Sequence, residues 1–402
     1  MTNTKDLAPL DVHSATADML AHAVRDKNRN KFDEFLVVDI DAHVSESAFW
    51  DEVTDFIPSD VWKYNAKSFK DRGSANGLSN AQPGLLYQNA FGRIPHSGIT
   101  RETLPQGVHK QAALSRRAMD TMGIDYMTVF PTAMLTLGVH PQPEVEVQIA
   151  DAYNTWLTER VLQSDPGLLG LLYLPFNTPE ACAPMVEKFA ERKGVIGFTV
   201  TSTRFKPVHH NAYMRLYSVL EERGLPLAFH AAFSWEDGSM AQLNRFLSMH
   251  ALSFVHCNLI HLTNWVINGL PERFPKLKVI WVESGLAWLP YLMQRLDSEY
   301  MMRTSEAPLL KRRPSEYITD MFYTTQPMER HHPKLMQATF EAIKAETQLL
   351  YASDWPHWDF DTPSTVYDLP FLTEQQKRNI LGGNSARLFN LKDTKQAKAA
   401  AE

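Results

Sequence analysis

Five side chains able to hold a metal ion or move a proton stand at the ends of short apolar runs. Asp41 and His43 follow Phe35 to Ile40, and His230 lies within Leu225 to Phe233. Glu283 ends Leu277 to Glu283, and Asp354 ends Leu349 to Asp354. Carboxylates and imidazoles are the groups that bind zinc, manganese or iron. Alternate residues of a strand share a face, so Asp41 and His43 can point into one site. Singly, each has a structural use. Asp41 can cap a turn, His43 and His230 can be satisfied core histidines, and Glu283 and Asp354 can accept hydrogen bonds in turns. Four strand ends carrying such groups together are not explained by packing. The expected site is a divalent metal, zinc or manganese with iron as the alternative, shared by most of these five groups. Such an ion lowers the pKa of bound water or polarises a bound oxygen, and a carboxylate beside it can move protons.

Further donors lie close in sequence. His357 is three residues past Asp354 and can orient it or touch a substrate. His256 and His261 precede the sixth run. With Glu283 and His357 they supply enough ligands for a second ion. Glu46, three residues past His43, reads as a helix-start acceptor or a support for the ligands.

The elements that must position these groups alternate along the chain. Strands are expected at Phe35 to Ile40, Asp125 to Thr132, Leu168 to Phe176, Val195 to Thr201, Leu225 to Phe233, Leu277 to Glu283, Phe322 to Gln326 and Leu349 to Asp354. Helical stretches separate them, among them Ala112 to Met122, Thr178 to Lys193, Asn211 to Arg223 and Pro333 to Glu346. A last helix is expected over Glu374 to Leu388. This alternation predicts an α/β fold, a closed parallel (β/α)8 TIM-like barrel, whose functional groups gather where the strands end. A doubly wound sheet is the competitor, but no Gly-x-Gly-x-x-Gly loop follows the first run. Residues 35–391 are expected to form one domain, with a Pro-, Gly- and Asn-rich insertion at 46–111 near the barrel mouth. Residues 1–34 read as an arm and 392–402 as a frayed tail.

Composition narrows the functional classes. The chain has 402 residues, 40 Lys and Arg against 46 Asp and Glu, and no basic stripe, which argues against nucleic acid as a partner. Its longest apolar runs are too short to cross a bilayer. Two cysteines, Cys182 and Cys257, lack metal-type spacing and are too few for a secreted scaffold, so a cytoplasmic setting is expected. Trp235, Trp288, Trp355 and Trp358 flank the strand ends. They suit an aromatic or alicyclic acid as substrate, or packing of the insertion. Arg295 and Asp297 read as a structural ion pair.

The segments Val38-Asp-Ile-Asp-Ala-His-Val, Leu225-Pro-Leu-Ala-Phe-His, Glu272-Arg-Phe-Pro-Lys-Leu-Lys-Val-Ile-Trp-Val-Glu-Ser-Gly, Ala352-Ser-Asp-Trp-Pro-His and Ile380-Leu-Gly-Gly-Asn-Ser-Ala-Arg-Leu-Phe together resemble the amidohydrolase superfamily. The likeness is to its amidohydrolase-2 branch, which includes aminocarboxymuconate-semialdehyde and resorcylate-type decarboxylases. The resemblance implies a mononuclear metal in a barrel mouth. Asp41 and His43 stand at the first-strand ligand pair, often His-x-His or Glu-x-His. His230 stands at the fifth-strand ligand, and Asp354 at the eighth-strand aspartate. Glu283 departs from the pattern, because many relatives have histidine there. It can act as a base or bind a second metal. The fourth run, Val195 to Ser202, has no lysine, so a carbamate-bridged metal pair is unsupported. Hydrolysis of an amide or ester and nonoxidative decarboxylation of a small acid both fit. So does a dinuclear iron or manganese oxygenase with an electron-donor partner. An inactive subunit paired with an active relative is the non-enzyme alternative. The resemblance suggests a homodimer, or a heteromer with a related chain.

Overall fold

The computed structural model of the chain describes residues 7–10, 14, 16–71, 106–201, 206–232, 238–357, 359–393 and 395. Eight strands form one sheet in chain order: β1 Val38–Val44, β2 Tyr126–Pro131, β3 Leu168–Tyr173, β4 Val195–Thr201, β5 Leu227–His230, β6 Val279–Val282, β7 Phe322–Thr324 and β8 Leu349–Leu350. Every neighbouring pair is parallel. The ring closes where the chain leaving β8 runs beside β1. Ile40 N donates to Tyr351 O at 2.9 Å, Asp354 N to Asp41 O and His43 N to Trp355 O, each at 2.6 Å. The expected (β/α)8 barrel is the observed fold. Six of its strands are shorter than the apolar runs, as at β5 and β8, where the runs continue into loops; β4 matches its run, and β1 starts later and extends past its run to Val44.

Parallel strands are buried on both faces and read as continuous apolar runs. Here the two faces feed two cores. Leu36, Val38, Ile40, Phe130, Leu171, Ala228, Ile280, Val282 and Leu350 fill one cluster inside the barrel, with Leu388 and Phe389 of the last helix packed against it. Their strand neighbours, among them Leu172, Phe229, Trp281 and Leu349, join a larger cluster between sheet and helices. The Gly382-Gly383-Asn384 segment is structural. A Cβ on Gly382 would sit 2.2 Å from Leu36 O, and Asn384 Nδ2 donates to Leu349 O at 2.7 Å.

Helices surround the ring, including Lys110–Met122, Pro143–Trp156, Pro179–Phe189, Met214–Arg223, Phe246–Ile267, Trp288–Met302 and Pro333–Ala342. The Thr16–Asn30 helix of the arm packs on the Lys110–Met122 helix. The start of the expected insertion forms helices Trp50–Asp55 and Asp60–Asp71, while 72–105 lies outside the described residues. Of the expected tail, 394 and 396–402 lie outside them too. Lys395, by contrast, docks on Asp125 Oδ2 at 2.8 Å. Among the described residues, no helix is long and apolar enough to cross a membrane.

A buried acid clasps the seam. Asp39 is fully buried and accepts from Ser353 N at 2.9 Å, Ser353 Oγ at 2.5 Å and Asp41 N at 3.2 Å. Burial pushes its carboxyl up to about 8, against the opposing pull of the Ser353 bonds. Removing a partner from a buried polar group costs more than the bond itself contributes. Ser353→Ala is therefore expected to destabilise the fold by about 1–3 kcal/mol. Urea unfolding should show a lower midpoint with an unchanged slope; an unmoved midpoint would show that the clasp is not needed.

Candidate metal centre

Three local irregularities aim the functional side chains. Val38 and Ile40 point into the barrel, so strict alternation would turn Asp41 and His43 outward. Between Asp39 and Ala42 the register with β2 slips, three steps on β1 facing two on β2. This bulge resets the phase, so that Ala42 and Val44 face the helices and Asp41 and His43 face inward. On β6, Ile280 and Val282 are interior, so Glu283 should point out. Its φ of +49° turns it back toward the axis, and Thr324 Oγ1 accepts from its backbone N at 3.0 Å. Asp354 likewise has φ +60°. Non-glycine residues in this region cost about 1–3 kcal/mol each and concentrate at functional sites.

The result is a dense ring of donors. Asp41 Oδ1 lies 3.3 Å from His230 Nε2 and 3.5 Å from His43 Nε2. Asp354 Oδ1 is 3.2 Å from His43 Nε2, and Glu283 Oε2 is 3.3 Å from His230 Nε2. The two Nε2 atoms face each other at 3.3 Å. The opposite nitrogens fix the tautomers. His43 Nδ1 lies 2.8 Å from Pro131 O and His230 Nδ1 2.6 Å from Ala231 O. A carbonyl only accepts, so each Nδ1 carries the proton and each Nε2 presents a lone pair to the centre. Both oxygens of Asp41 and of Asp354, and Oε2 of Glu283, are buried without a well-directed hydrogen bond.

These residues fit a divalent cation. Ligands bound at about 2.1 Å around a tetrahedral or octahedral ion lie roughly 3.0–3.4 Å apart, close to the separations seen. Nδ1 bound to a backbone carbonyl is the usual support for an Nε2 ligand. Electrostatics agree. Burial pushes the Glu283 carboxyl well up, and Asp354 and Asp41 add to the rise. Burial also opposes charge on Asp41 and Asp354. It is outweighed by His230 and His43 at Asp41, and by His357 and His43 at Asp354, so both carboxyls lie below the usual range. Despite burial, the facing carboxylates hold His43 up to about 10.

Around the ring, His357 Nδ1 is 2.7 Å from Asp354 Oδ1, and its ring lies 4.0 Å from that of His43. Burial keeps His357 below the ordinary histidine range, although Asp354 pulls it up. Glu46 is fully buried and accepts from Thr132 N at 3.0 Å and Met134 N at 2.8 Å. It fixes the loop after β2 and supports the site from outside it.

His256 and His261 are not brought to the centre. Both lie on the Phe246–Ile267 helix, which packs outside β5 and β6 through Asn258 Nδ2, 3.3 Å from Phe229 O and 3.2 Å from Val282 O. Phe229 alternates with the inward His230, and His261 stacks on its outer face at 6.3 Å. His256 meets Ser239 Oγ at 2.9 Å, away from the ring. Neither joins the donor groups Asp41, His43, His230, Glu283 and His43, Asp354, His357. The Arg295–Asp297 pair is also corrected. Residues two apart on a helix diverge; Arg295 pairs with Glu299 at 2.7 Å, and Asp297 accepts from Ser315. Trp355 packs edge-on against Phe360, and Trp288 Nε1 donates to Gly285 O. Trp235 and Trp358 lie outside the described residues.

Three residues near the ring were not singled out from the sequence. His250, Gln326 and Asp359 come from different elements. Gln326 Nε2 donates to Asp359 Oδ2 at 3.3 Å, and His250 Nε2 lies 3.9 Å from the same oxygen. Burial pushes His250 down to about 4, so its ring is neutral. No spacing rule links a helix start, a strand end and a loop. The only sequence signal was the polar Gln326 just past β7.

The comparisons with known proteins agree with the fold. A gamma-resorcylate decarboxylase from Polaromonas sp. (strain JS666 / ATCC BAA-500) is 24% identical over 285 residues, covering 68% of this chain and 86% of that protein. The crystal structure of 5-carboxyvanillate decarboxylase from Sphingomonas paucimobilis superposes with a TM-score of 0.62 at 20% identity, covering 89% of this chain and all of that one. The same enzyme from Novosphingobium aromaticivorans DSM 12444, in complex with manganese and 4-hydroxy-3-methoxy-5-nitrobenzoic acid, gives 0.62 at 18% identity, over 89% and 97% of the two chains. The family model described as Amidohydrolase matches residues 38–391, and the chain belongs to that family.

Proposed function

We propose that this chain is a metal-dependent nonoxidative decarboxylase of a small aromatic carboxylic acid. The observation that carries the metal is the pair of Nε2 lone pairs facing each other at 3.3 Å inside a ring of buried carboxylates. The choice of decarboxylation draws on its relatives, a gamma-resorcylate and two 5-carboxyvanillate decarboxylases, one of them in complex with manganese. Asp41, His43, His230 and Asp354 would hold one ion, manganese or zinc. His43 offers a single inward nitrogen, so the two overlapping donor groups describe one cage better than two. When bound, the ion supplies positive charge that orients and polarises an acid's oxygens. Barrel residues 35–391 form the catalytic unit in this reading.

The residues divide the remaining work. Asp354 is the acid–base group, and His357, 2.7 Å away, is the nearest group able to resupply its proton. The proton goes to the ring carbon bearing the carboxylate. The carbon–carbon bond then breaks, its electron pair restores the aromatic ring, and carbon dioxide leaves. Glu283, adjacent to His230, is placed to act as a base or to complete the cage. Hydrolysis would use the same Asp354 and is the second reading. The oxygenase reading loses His256 and His261, two of the donors that it requires. A cytoplasmic setting agrees with Cys182 and Cys257, both buried and neither in a disulfide. A homodimer, or pairing with a related chain, rests on the family resemblance alone.

Two outcomes are expected. After chelation, calorimetric titration with manganese should fill about one site per chain. His230→Ala should abolish that binding, while His256→Ala should leave it intact. At a hundredfold excess over Kd, the ion should stabilise the wild type by about 2.7 kcal/mol. Second, Asp354→Asn should lower carbon dioxide release from hydroxybenzoic acids by at least about 10²-fold, with the far-ultraviolet spectrum of the fold unchanged. Full turnover in that variant would contradict the mechanism. Turnover that consumes dioxygen would favour the oxygenase.

A further inference from the structure

Beside the donor ring, Gln326 and Asp359 leave two oxygens without partners. Gln326 is 1% exposed and follows β7 at the mouth, next to Thr324, which holds the backbone of Glu283. Its amide is oriented by donation of Nε2 to Asp359 Oδ2, which leaves Oε1 as an acceptor. That Oε1 and Asp359 Oδ1 are both buried and without a hydrogen bond. His250 flanks the pair at 3.9 Å. The charge of Asp354 is felt at Asp359 and His250, and that of Asp359 at Glu283, and Asp359 lies two residues past His357, so the trio borders the metal cage. None of the three belongs to the donor groups of the cage. A buried amide oxygen is costly to leave without a partner.

We propose that Gln326 and Asp359 form a recognition subsite for a hydroxyl group on the ring of the substrate, separate from the oxygens that reach the metal. This rests on the reading of the protein as a metal-dependent enzyme for aromatic acids. The chemistry selects the group. Gln326 Oε1 needs a donor, so a carboxylate, ether or nitro group cannot satisfy it. A hydroxyl donates to Gln326 Oε1 and can accept from Asp359 when that carboxyl is protonated. It can instead donate to Asp359 when that carboxyl is ionised. It therefore fits either state of the acid. An apolar ring edge leaves both oxygens unpaired. Sites built to bond a hydroxyl reject analogues that lack it, because their own buried groups are stranded. His250 acts as a positioning residue, its neutral ring flanking the Asp359 oxygen to which Gln326 donates.

The test is calorimetric binding to the manganese-loaded protein of 2-hydroxybenzoate and of its 4-, 5- and 6-hydroxylated forms. All share the carboxylate and adjacent hydroxyl that face the ion, so only the additional hydroxyl varies. At least one of the three is expected to bind ten- to a hundredfold more tightly than 2-hydroxybenzoate. That advantage should fall below threefold in Gln326→Met, which keeps the side-chain volume, and in Asp359→Leu. Manganese binding, and affinity for 2-hydroxybenzoate itself, should stay within threefold in Gln326→Met. No preference in the wild type, or a preference that survives both substitutions, would overturn the subsite. A preference that behaves as expected without any carbon dioxide release would sink the decarboxylase reading and leave the subsite standing.

Discussion

Two imidazole Nε2 atoms held 3.3 Å apart, out of water and surrounded by three carboxylates, need something positive between them, a metal ion or a proton. The remainder of the molecule is organised around this unfavourable cluster. Pro131 and Ala231 carbonyls fix both tautomers, so neither ring can rotate away from the conflict. Among the described residues no lysine or arginine joins the cage, and burial pushes Glu283 up, with Asp354 and Asp41 adding to the rise. A divalent ion removes the repulsion between lone pairs and the strain on the acids in one step. The same crowding holds Asp354 between His43 and His357.

Rigidity elsewhere sustains this arrangement. A closed parallel sheet fixes the strand ends to each other, and the clasp between Asp39 and Ser353 locks the seam at the strand that carries Asp41 and His43. The bulge in β1 and the left-handed conformations of Glu283 and Asp354 are departures from regular structure at three of the strand ends that matter. Each puts a donor where alternation or ordinary backbone would not. Stability is given up locally at these points and is supported by two packed cores, one within the barrel and one beneath the helices.

The sequence revealed the barrel because eight apolar runs with helices between them allow few other topologies. Asp41, His43, His230, Glu283 and Asp354 were legible for the same reason: each ends such a run. Their convergence is observed, and their role as ligands remains the proposal. His256 and His261 misled because closeness in sequence to β6 says nothing about which face of a 22-residue helix meets the sheet. They sit on the wall's outer side, behind Phe229. Gln326, Asp359 and His250 were invisible because their meeting depends on how a helix start, a strand end and a loop come together. The bulge that turns Asp41 inward was equally hidden, since one extra residue leaves no mark on composition.

The most direct test is a crystal of the manganese-loaded protein measured at the manganese absorption edge. The account predicts one strong anomalous peak, within coordinating distance of Asp41, His43, His230 and Asp354, with His256 and His261 remote from it. No peak at that position in fully loaded crystals, or a peak bound elsewhere in the chain, would contradict it.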